Sequence, residues 1–209
     1  MHLLDEHVLL FAKNPANEKN RLTQYIEDKK AADFYRLCIE QTVDFLTGNN
    51  LDFSIHYQPK ESRKDFMQWL GKHHSYIPQN GRDDNHKLKN AFALTFSVGC
   101  QKVLALGSKT PDLPFEYIRQ AFEALNSSDV VIGPSESGSC CLIGTSSQEF
   151  TPGIFKQISW DKPEACRHLK NLLTENSLSY HILPAWPVIE TIESLHKFYE
   201  KNRTTDLKD

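Results

Sequence analysis

The chain has 209 residues, 39% hydrophobic and 24% charged, with a formal net charge of -3. This is a globular composition, long enough to bury a sizeable core. The slight acidic surplus argues against nucleic acid or an anionic membrane as the main partner, and no apolar run approaches the roughly 20 residues of a membrane-spanning helix.

Val8-Leu9-Leu10-Phe11-Ala12 is a short continuous apolar run, expected as a strand buried on both faces of a parallel sheet. Asp5 and Glu6 precede it, so it does not read as a signal peptide. A polar loop runs from Lys13 to Asn20. From Lys29 to Thr47, Ala32, Tyr35, Ile39, Val43 and Leu46 recur at helical steps, with Gly48 just past the end. Phe53, Ile55 and Tyr57 alternate as a strand, and Phe66 to Leu70 suggest a short helix. His73 to Asn85 is polar and turn-rich, with Asn80-Gly81 as a turn signal.

Leu88 to Val98 predicts an amphipathic helix stopped by Gly99, and Val103 to Leu106 the next strand. Pro114 opens a helix through Leu125, because proline suits a first turn. Val130 to Ile132 and Cys141 to Ile143 are two strands split by a loop of small residues. A helix from Pro163 to Asn176, a strand from Tyr180 to Leu183 and a helix from Glu190 to Asn202 complete the chain. The last seven residues are polar and expected to fray. Strands alternating with helices predict an α/β fold with a mainly parallel central sheet and helices on both faces. Val8–Ala12, Val103–Leu106 and Val130–Ile132 are expected among its central strands. No repeat, low-complexity segment or linker interrupts the pattern, which predicts one domain over residues 1–209.

Ligands of such sheets bind beyond the carboxyl ends of the strands, which directs attention to three loops. The first carries Lys13, Lys19 and Arg21, cations suited to a phosphate or simply to solvent. The second, Gly107 to Leu113, holds Ser108 and Lys109 before a helix start, where anions are favoured; it also reads as a plain connection. The third is Gly133 to Cys140, whose small residues allow close approach of a ligand to the backbone. It lacks the Gly-Lys-Ser/Thr of a phosphate-binding Walker loop and the Gly-x-Ser-x-Gly of a nucleophile elbow.

The five cysteines, Cys38, Cys100, Cys140, Cys141 and Cys166, are odd in number and form no Cys-x-x-Cys pair. Reduced, mostly buried thiols in a cytoplasmic protein are expected, with Cys140 or Cys141 the candidate to face a pocket. The histidines show no metal-ligand spacing. Asp83-Asp84 reads as a solvated turn rather than a cation site.

Together the loops resemble the bacterial glycosyltransferases named radical-SAM or selenodomain-associated transferases. The resemblance runs from about Val8 to Leu195. It rests on Phe-Ala-Lys-x-Pro at Phe11–Pro15 followed by Arg21-Leu22, on Leu106-Gly107-x-x-x-Pro111-x-Leu113, and on Asp129-Val130-Val131-Ile132-Gly133-Pro134 with Gly138 and Leu142-Ile143-Gly144. Ile158-x-Trp160 with Pro163, and Glu190-Thr191-x-Glu193-x-Leu195, extend it. It implies a glycosyltransferase-A, or nucleotide-diphospho-sugar transferase, fold and glycosyl transfer from a nucleotide sugar.

The departures concern acids. Lys109 stands where the family carries a metal-binding acid, and an Asp-Gly-Gly-Tyr segment has become Ser137-Gly138-Ser139-Cys140. An Asp-Val-Asp-Thr segment has become Val188-Ile189-Glu190-Thr191, and Leu-Gly-x-Arg maps loosely onto Asp84-Asn85-His86-Lys87. Glu18 lies near the place of a first-loop glycine, and Asn20 precedes Arg21 where the family reads Lys-Thr-Arg-Leu. The family would use Mg²⁺ or Mn²⁺; a lysine in place of the acid implies no metal or other cofactor.

The resemblance implies phosphate contacts from Lys13, Arg21, Ser108 and Lys109. It places Ser135, Glu136, Ser137, Gly138, Ser139 and Cys140 on the acceptor side, with no catalytic residue assigned. Three cations in one crevice are expected to repel until an anion enters. The expected ligand is a nucleotide sugar or nucleotide. A nucleotidyltransferase of similar fold and an inactive binding module are the alternatives.

Overall fold

The computed structural model describes residues 5–17 and 21–205. Glu18, Lys19 and Asn20 of the first loop lie outside the described residues, as do the last four positions. Among the described residues, seven strands form one sheet: β1 (Glu6–Lys13), β2 (Phe53–Gln58), β3 (Ser75–Pro78), β4 (Lys102–Gly107), β5 (Val130–Pro134), β6 (Cys140–Ser146) and β7 (Tyr180–Ile182). Their spatial order is β3-β2-β1-β4-β6-β5-β7. β6 runs antiparallel to both its neighbours; all other pairings are parallel. The sheet is thus mixed and mostly parallel, an α/β fold as the apolar runs predict.

The described residues also form six α-helices: α1 (Asp28–Gly48), α2 (Arg63–Leu70), α3 (Asp84–Ser97), α4 (Phe115–Ala124), α5 (Ala165–Glu175) and α6 (Ile192–Thr205). Strand periodicity divides the core. Val8, Leu10, Leu104 and Leu106 point to one face, against Ile39 and Val43 of α1, Phe66 of α2 and Ile118 of α4. Leu9, Val103, Ala105 and Ile143 point to the other, against Phe92 of α3 and Leu169 of α5. A third, smaller cluster joins the outer side of α1 to α6 through Phe34, Cys38, Leu195 and Phe198. No helix among the described residues is long and apolar enough to cross a membrane.

Three details differ from expectation. β3 and the first turn of α3 lie in the segment read as turns. β3 is a four-residue edge strand with only Tyr76 buried, so it shows no apolar alternation. α3 begins early because Asp83 caps it, accepting at 2.9 Å from the His86 N–H. Glu190 lies before α6 rather than in it; the Ser194 hydroxyl accepts from the Glu190 and Thr191 N–H groups and fixes the helix start at Ile192. α6 also continues through Thr205, into the stretch expected to fray. Val8–Ala12 and Val103–Leu106 are central, whereas β5 is second from the edge because β6 enters beside β4.

Candidate functional site

The chain leaves β1 towards β2 and β3 on one side, then returns to β4 on the other. The strand order therefore reverses between β1 and β4, the place where open α/β sheets bind ligands. A pocket of about 210 Å³ opens there. β6 contributes its amino end to the same edge because it runs antiparallel.

The floor is built from strand ends and one helix. Lys13 ends β1, and its N–H donates to the Tyr35 hydroxyl of α1 at 3.1 Å. That hydroxyl pairs with Ser108 Oγ at 2.9 Å, both groups being buried. The hydroxyl pair ties α1 to the ends of β1 and β4. Nearby, the Gln79 amide donates to the carbonyls of Ala12 and His56, tying β1 to β2. Beneath this wall Phe11 stacks on His56 at 5.3 Å. Burial pushes the His56 pKa down to about 4, with the neighbouring His7 adding to the effect, so the ring is neutral at pH 7.

The charged wall carries the chemistry. Glu190 Oε2 accepts from Arg21 Nη1 at 3.1 Å, and its Oε1 accepts from Lys109 Nζ at 2.9 Å. Arg21 also reaches the Asp161 carbonyl at 2.6 Å and its carboxylate at 3.3 Å. Across the opening, Lys87 Nζ donates to Gln58 Oε1 at 2.7 Å and to Asp84 Oδ1 at 3.1 Å. Lys13, Lys87, Lys109, Asp84, Asp161 and Glu190 all line the pocket, and Arg21 stands directly behind two of them. The mutual repulsion expected of the cations is therefore largely offset: these groups leave one net positive charge. Trp160 completes the rim, its indole N–H held by Asn85 Oδ1 at 3.1 Å.

The third loop divides. Ser139 and Cys140 line the pocket; Ser135, Glu136, Ser137 and Gly138 do not. The hydroxyls of Ser135, Ser137 and Ser139 bond to one another, at 2.7 Å between Ser135 and Ser139. The Glu136 side chain is exposed, and its N–H donates to the Trp186 carbonyl. Gly138 adopts φ +88°, and a Cβ there would lie 2.2 Å from the Pro163 carbonyl oxygen. Of the residues expected at the phosphate, Lys13, Ser108 and Lys109 meet in the pocket and Arg21 reaches it through Glu190. Lys19 is outside the described residues.

Glu190, Asp84, Lys87 and Asp161 were not among the expected contacts. Glu190 returns a carboxylate to a wall whose acids otherwise depart from the family pattern. The signal for it was its place in the segment resembling Asp-Val-Asp-Thr.

The residues present do not fit a divalent metal. The ammonium of Lys109 sits against the nearest carboxylate, where it would repel a metal cation. Asp112, the acid of the same loop, is turned to Lys201 at 2.6 Å and to the Trp186 indole at 3.1 Å. No group of three or more His, Cys, Asp or Glu among the described residues could hold a metal ion.

Comparison with known proteins agrees with this architecture. A crystal structure of a putative nucleotide-diphospho-sugar transferase from Desulfovibrio desulfuricans G20 superposes with a TM-score of 0.88 at 29% identity, covering 95% of this chain and 87% of that one. A 4-diphosphocytidyl-2C-methyl-D-erythritol synthase from Anaerococcus prevotii DSM 20548 matches with a TM-score of 0.59 at 10% identity, over 90% and 94% of the two chains. A CMP:2-keto-3-deoxy-manno-octonic acid synthetase complexed with CTP matches at 0.60 and 8% identity, over 96% and 99%. The last two likenesses concern the fold alone. No functionally curated protein matches the chain. The family model of uncharacterised proteins conserved in bacteria, DUF2064, matches residues 42–162, more than half of the sequence. The chain belongs to the DUF2064 family.

Proposed function

We propose that the protein is a glycosyltransferase of the radical-SAM or selenodomain-associated type, taking a nucleotide-diphospho-sugar donor without a divalent metal. The observation that carries this reading is the charged wall at the switch point between β1 and β4, where Lys13, Lys87 and Lys109 line one pocket beside Asp84, Asp161 and Glu190. The likeness at 29% identity to the Desulfovibrio protein supports the same donor class. When a glycosyl group leaves its nucleoside diphosphate, negative charge grows on the departing phosphate. Preset ammonium groups stabilise that charge without having to reorganise. Lys109 has two demands on it, since Glu190 already holds it; the donor diphosphate then competes with, or adds to, that carboxylate. Ser139 and Cys140 form the wall on which an acceptor would lie.

The test is a thermal-shift and calorimetric screen of nucleoside diphosphates, triphosphates and nucleotide sugars, with and without Mn²⁺. A sugar-nucleotide hit independent of Mn²⁺, weakened in Lys109→Met and by added salt, is the expected result. A hit for triphosphates alone would replace the reading with nucleotidyl transfer. No hit would leave a non-catalytic binding module.

A further inference from the structure

A second cavity lies beside the start of α3. It is a groove of about 490 Å³ between that helix and the 3-10 turn Pro152–Phe155 with the two residues after it. Helical spacing separates it from the pocket already described. Asp84, Lys87 and Leu88 line that pocket, whereas Asn85, His86 and Lys89 line the groove. Arg82, Lys89 and Lys156 bring three cations to the groove and Asp83 brings one acid. With His86 neutral, two positive charges are left over, in a chain whose formal net charge is -3. Asp83 is already engaged. Its Oδ1 accepts from the His86 N–H at 2.9 Å and from His86 Nδ1 at 2.7 Å, and its Oδ2 faces Arg82 Nε at 3.6 Å. Among the described residues, neither the Lys89 nor the Lys156 ammonium has an ion pair or a hydrogen bond, and Lys89 is half-buried.

The two walls of the groove are pinned to each other. Asn85 Oδ1 accepts from the Ile158 N–H at 3.2 Å, and Asn85 Nδ2 donates to the Ile158 carbonyl at 3.1 Å. The segment bearing Lys156 is thereby held to the helix bearing Lys89. Between Lys156 and Ile158, Gln157 sits at φ +58°, a left-handed backbone that non-glycine residues seldom adopt. Such a conformation persists where the surrounding contacts enforce it. We propose that this groove is an anion site for a phosphomonoester, separate from the pocket between β1 and β4. A phosphomonoester carries about -1.5 to -2 at pH 7, which matches the two unpartnered ammonium groups. A monocarboxylate would leave one of them unmatched. Arg82, exposed at the rim, can add a two-pronged grip on the phosphate oxygens. A cavity of this size takes a small organic molecule rather than a bare ion, and Pro152 and Phe155 offer its organic part an apolar wall. The Asn85 Oδ1 that pins the groove also holds the Trp160 indole at 3.1 Å, so the two sites stand back to back across one side chain.

The experiment follows backbone amide shifts of the full chain by NMR as phenyl phosphate is titrated in. Benzoate, the same ring with a single negative charge, is the comparison. The expected result is saturable shifts at Arg82, Lys89, Lys156 and Gln157 on one binding curve, with benzoate about tenfold weaker. Lys89→Gln combined with Lys156→Gln should weaken that curve by about tenfold or more. Any shifts at Ser108 and Lys109 should follow a separate curve that the double variant leaves unchanged, so the donor pocket is judged apart from the groove. The same spectra report whether the double variant is folded; if it is not, Lys156→Gln alone, at an exposed position, carries the test with a smaller loss. Shifts confined to Ser108 and Lys109, groove shifts that rise without saturating, equal affinity for benzoate, or a curve unchanged by the lysine substitutions would each overturn the proposal.

Discussion

Glu190 holds Arg21 through one carboxylate oxygen and Lys109 through the other, in a side chain only 9% exposed. It occupies the space between two cations that a phosphate oxygen would otherwise take. Glu190→Gln keeps the shape and removes the charge, raising the net positive charge of the wall. Pyrophosphate should then bind several-fold more tightly, while the protein loses about 1 kcal/mol of stability because both cations are partly solvated. Calorimetry with pyrophosphate and a melting curve check both; weaker binding would show that Glu190 acts by positioning the cations. Lys109→Asp should weaken pyrophosphate binding and also lower the melting temperature, since it sets a second carboxylate against Glu190.

Sequence reading could not reveal this cluster, because its contacts join residues 169 and 81 positions apart. Lys13 and Lys109 were legible because each follows an apolar strand directly. Asp84 and Lys87 were hidden for another reason: among polar neighbours, a pocket-lining charge and a solvated one look alike. His56 supplies a separate prediction. Its pKa is lowered from 6.5 to about 4 in the folded state. Below pH 6.5 the unfolded chain therefore binds more protons than the folded one, and stability falls as pH falls towards 4. The loss is about 3 kcal/mol once the window is crossed. The half-buried His7 shifts in the same direction, with Asp52 opposing. Urea midpoints measured at about pH 7.5 and about pH 4.5 should show the drop, and His56→Phe should flatten it; an unchanged acid limb in that variant would contradict the assignment.

At the scale of elements, two glycines separate what builds the pocket from what builds the sheet. Gly138 takes φ +88°, with the Pro163 carbonyl where its Cβ would be. Ala there is strained and must push the third loop away from the start of α5, carrying Ser139 and Cys140 with it. Gly144 lies on β6 between β4 and β5, where an added Cβ would meet Leu104 Cδ2 at 2.3 Å and Val131 Cγ1 at 2.8 Å. Each change should cost about 1–3 kcal/mol. Only Gly138→Ala should also weaken pyrophosphate binding; equal losses of binding in both variants would argue against the local role of this loop. Strand and helix identities were largely legible because β1, β4 and β5 are buried on both faces and read as continuous apolar runs. β3 was not, since an edge strand need bury only one side chain. Nor was the reversed direction of β6. Cys141 to Ile143 reads as buried strand whichever way it runs, and the direction is set by pairings with β4 and β5.

Across the whole molecule, the sheet sets the site's position and the third core sets its charged wall. Leu22, just past Arg21, and Ile189, just before Glu190, are both buried in the cluster that α6 forms with α1. Phe198 of α6 packs edge-on against Phe34 of α1 at 5.7 Å. The helix α6 therefore fixes Arg21 and Leu22 relative to the segment after β7, although none of its described side chains lines the pocket. Phe198→Ala should open a cavity in this small cluster and cost about 3 kcal/mol, lowering the melting temperature by roughly 6–12 °C for a chain of this size. Pyrophosphate affinity should fall with it, because Arg21 and Glu190 lose the backing that aligns them with Lys109. Leu173→Ala is the matched control: Leu173 is fully buried on α5 in the core of the opposite face. It should lower the melting temperature by a similar amount and leave pyrophosphate affinity within twofold. If both variants weaken binding alike, the loss reflects general loosening of the fold. If neither does, the charged wall stands without α6, and its alignment comes from the Ile189 N–H bond to the Lys109 carbonyl at 3.1 Å.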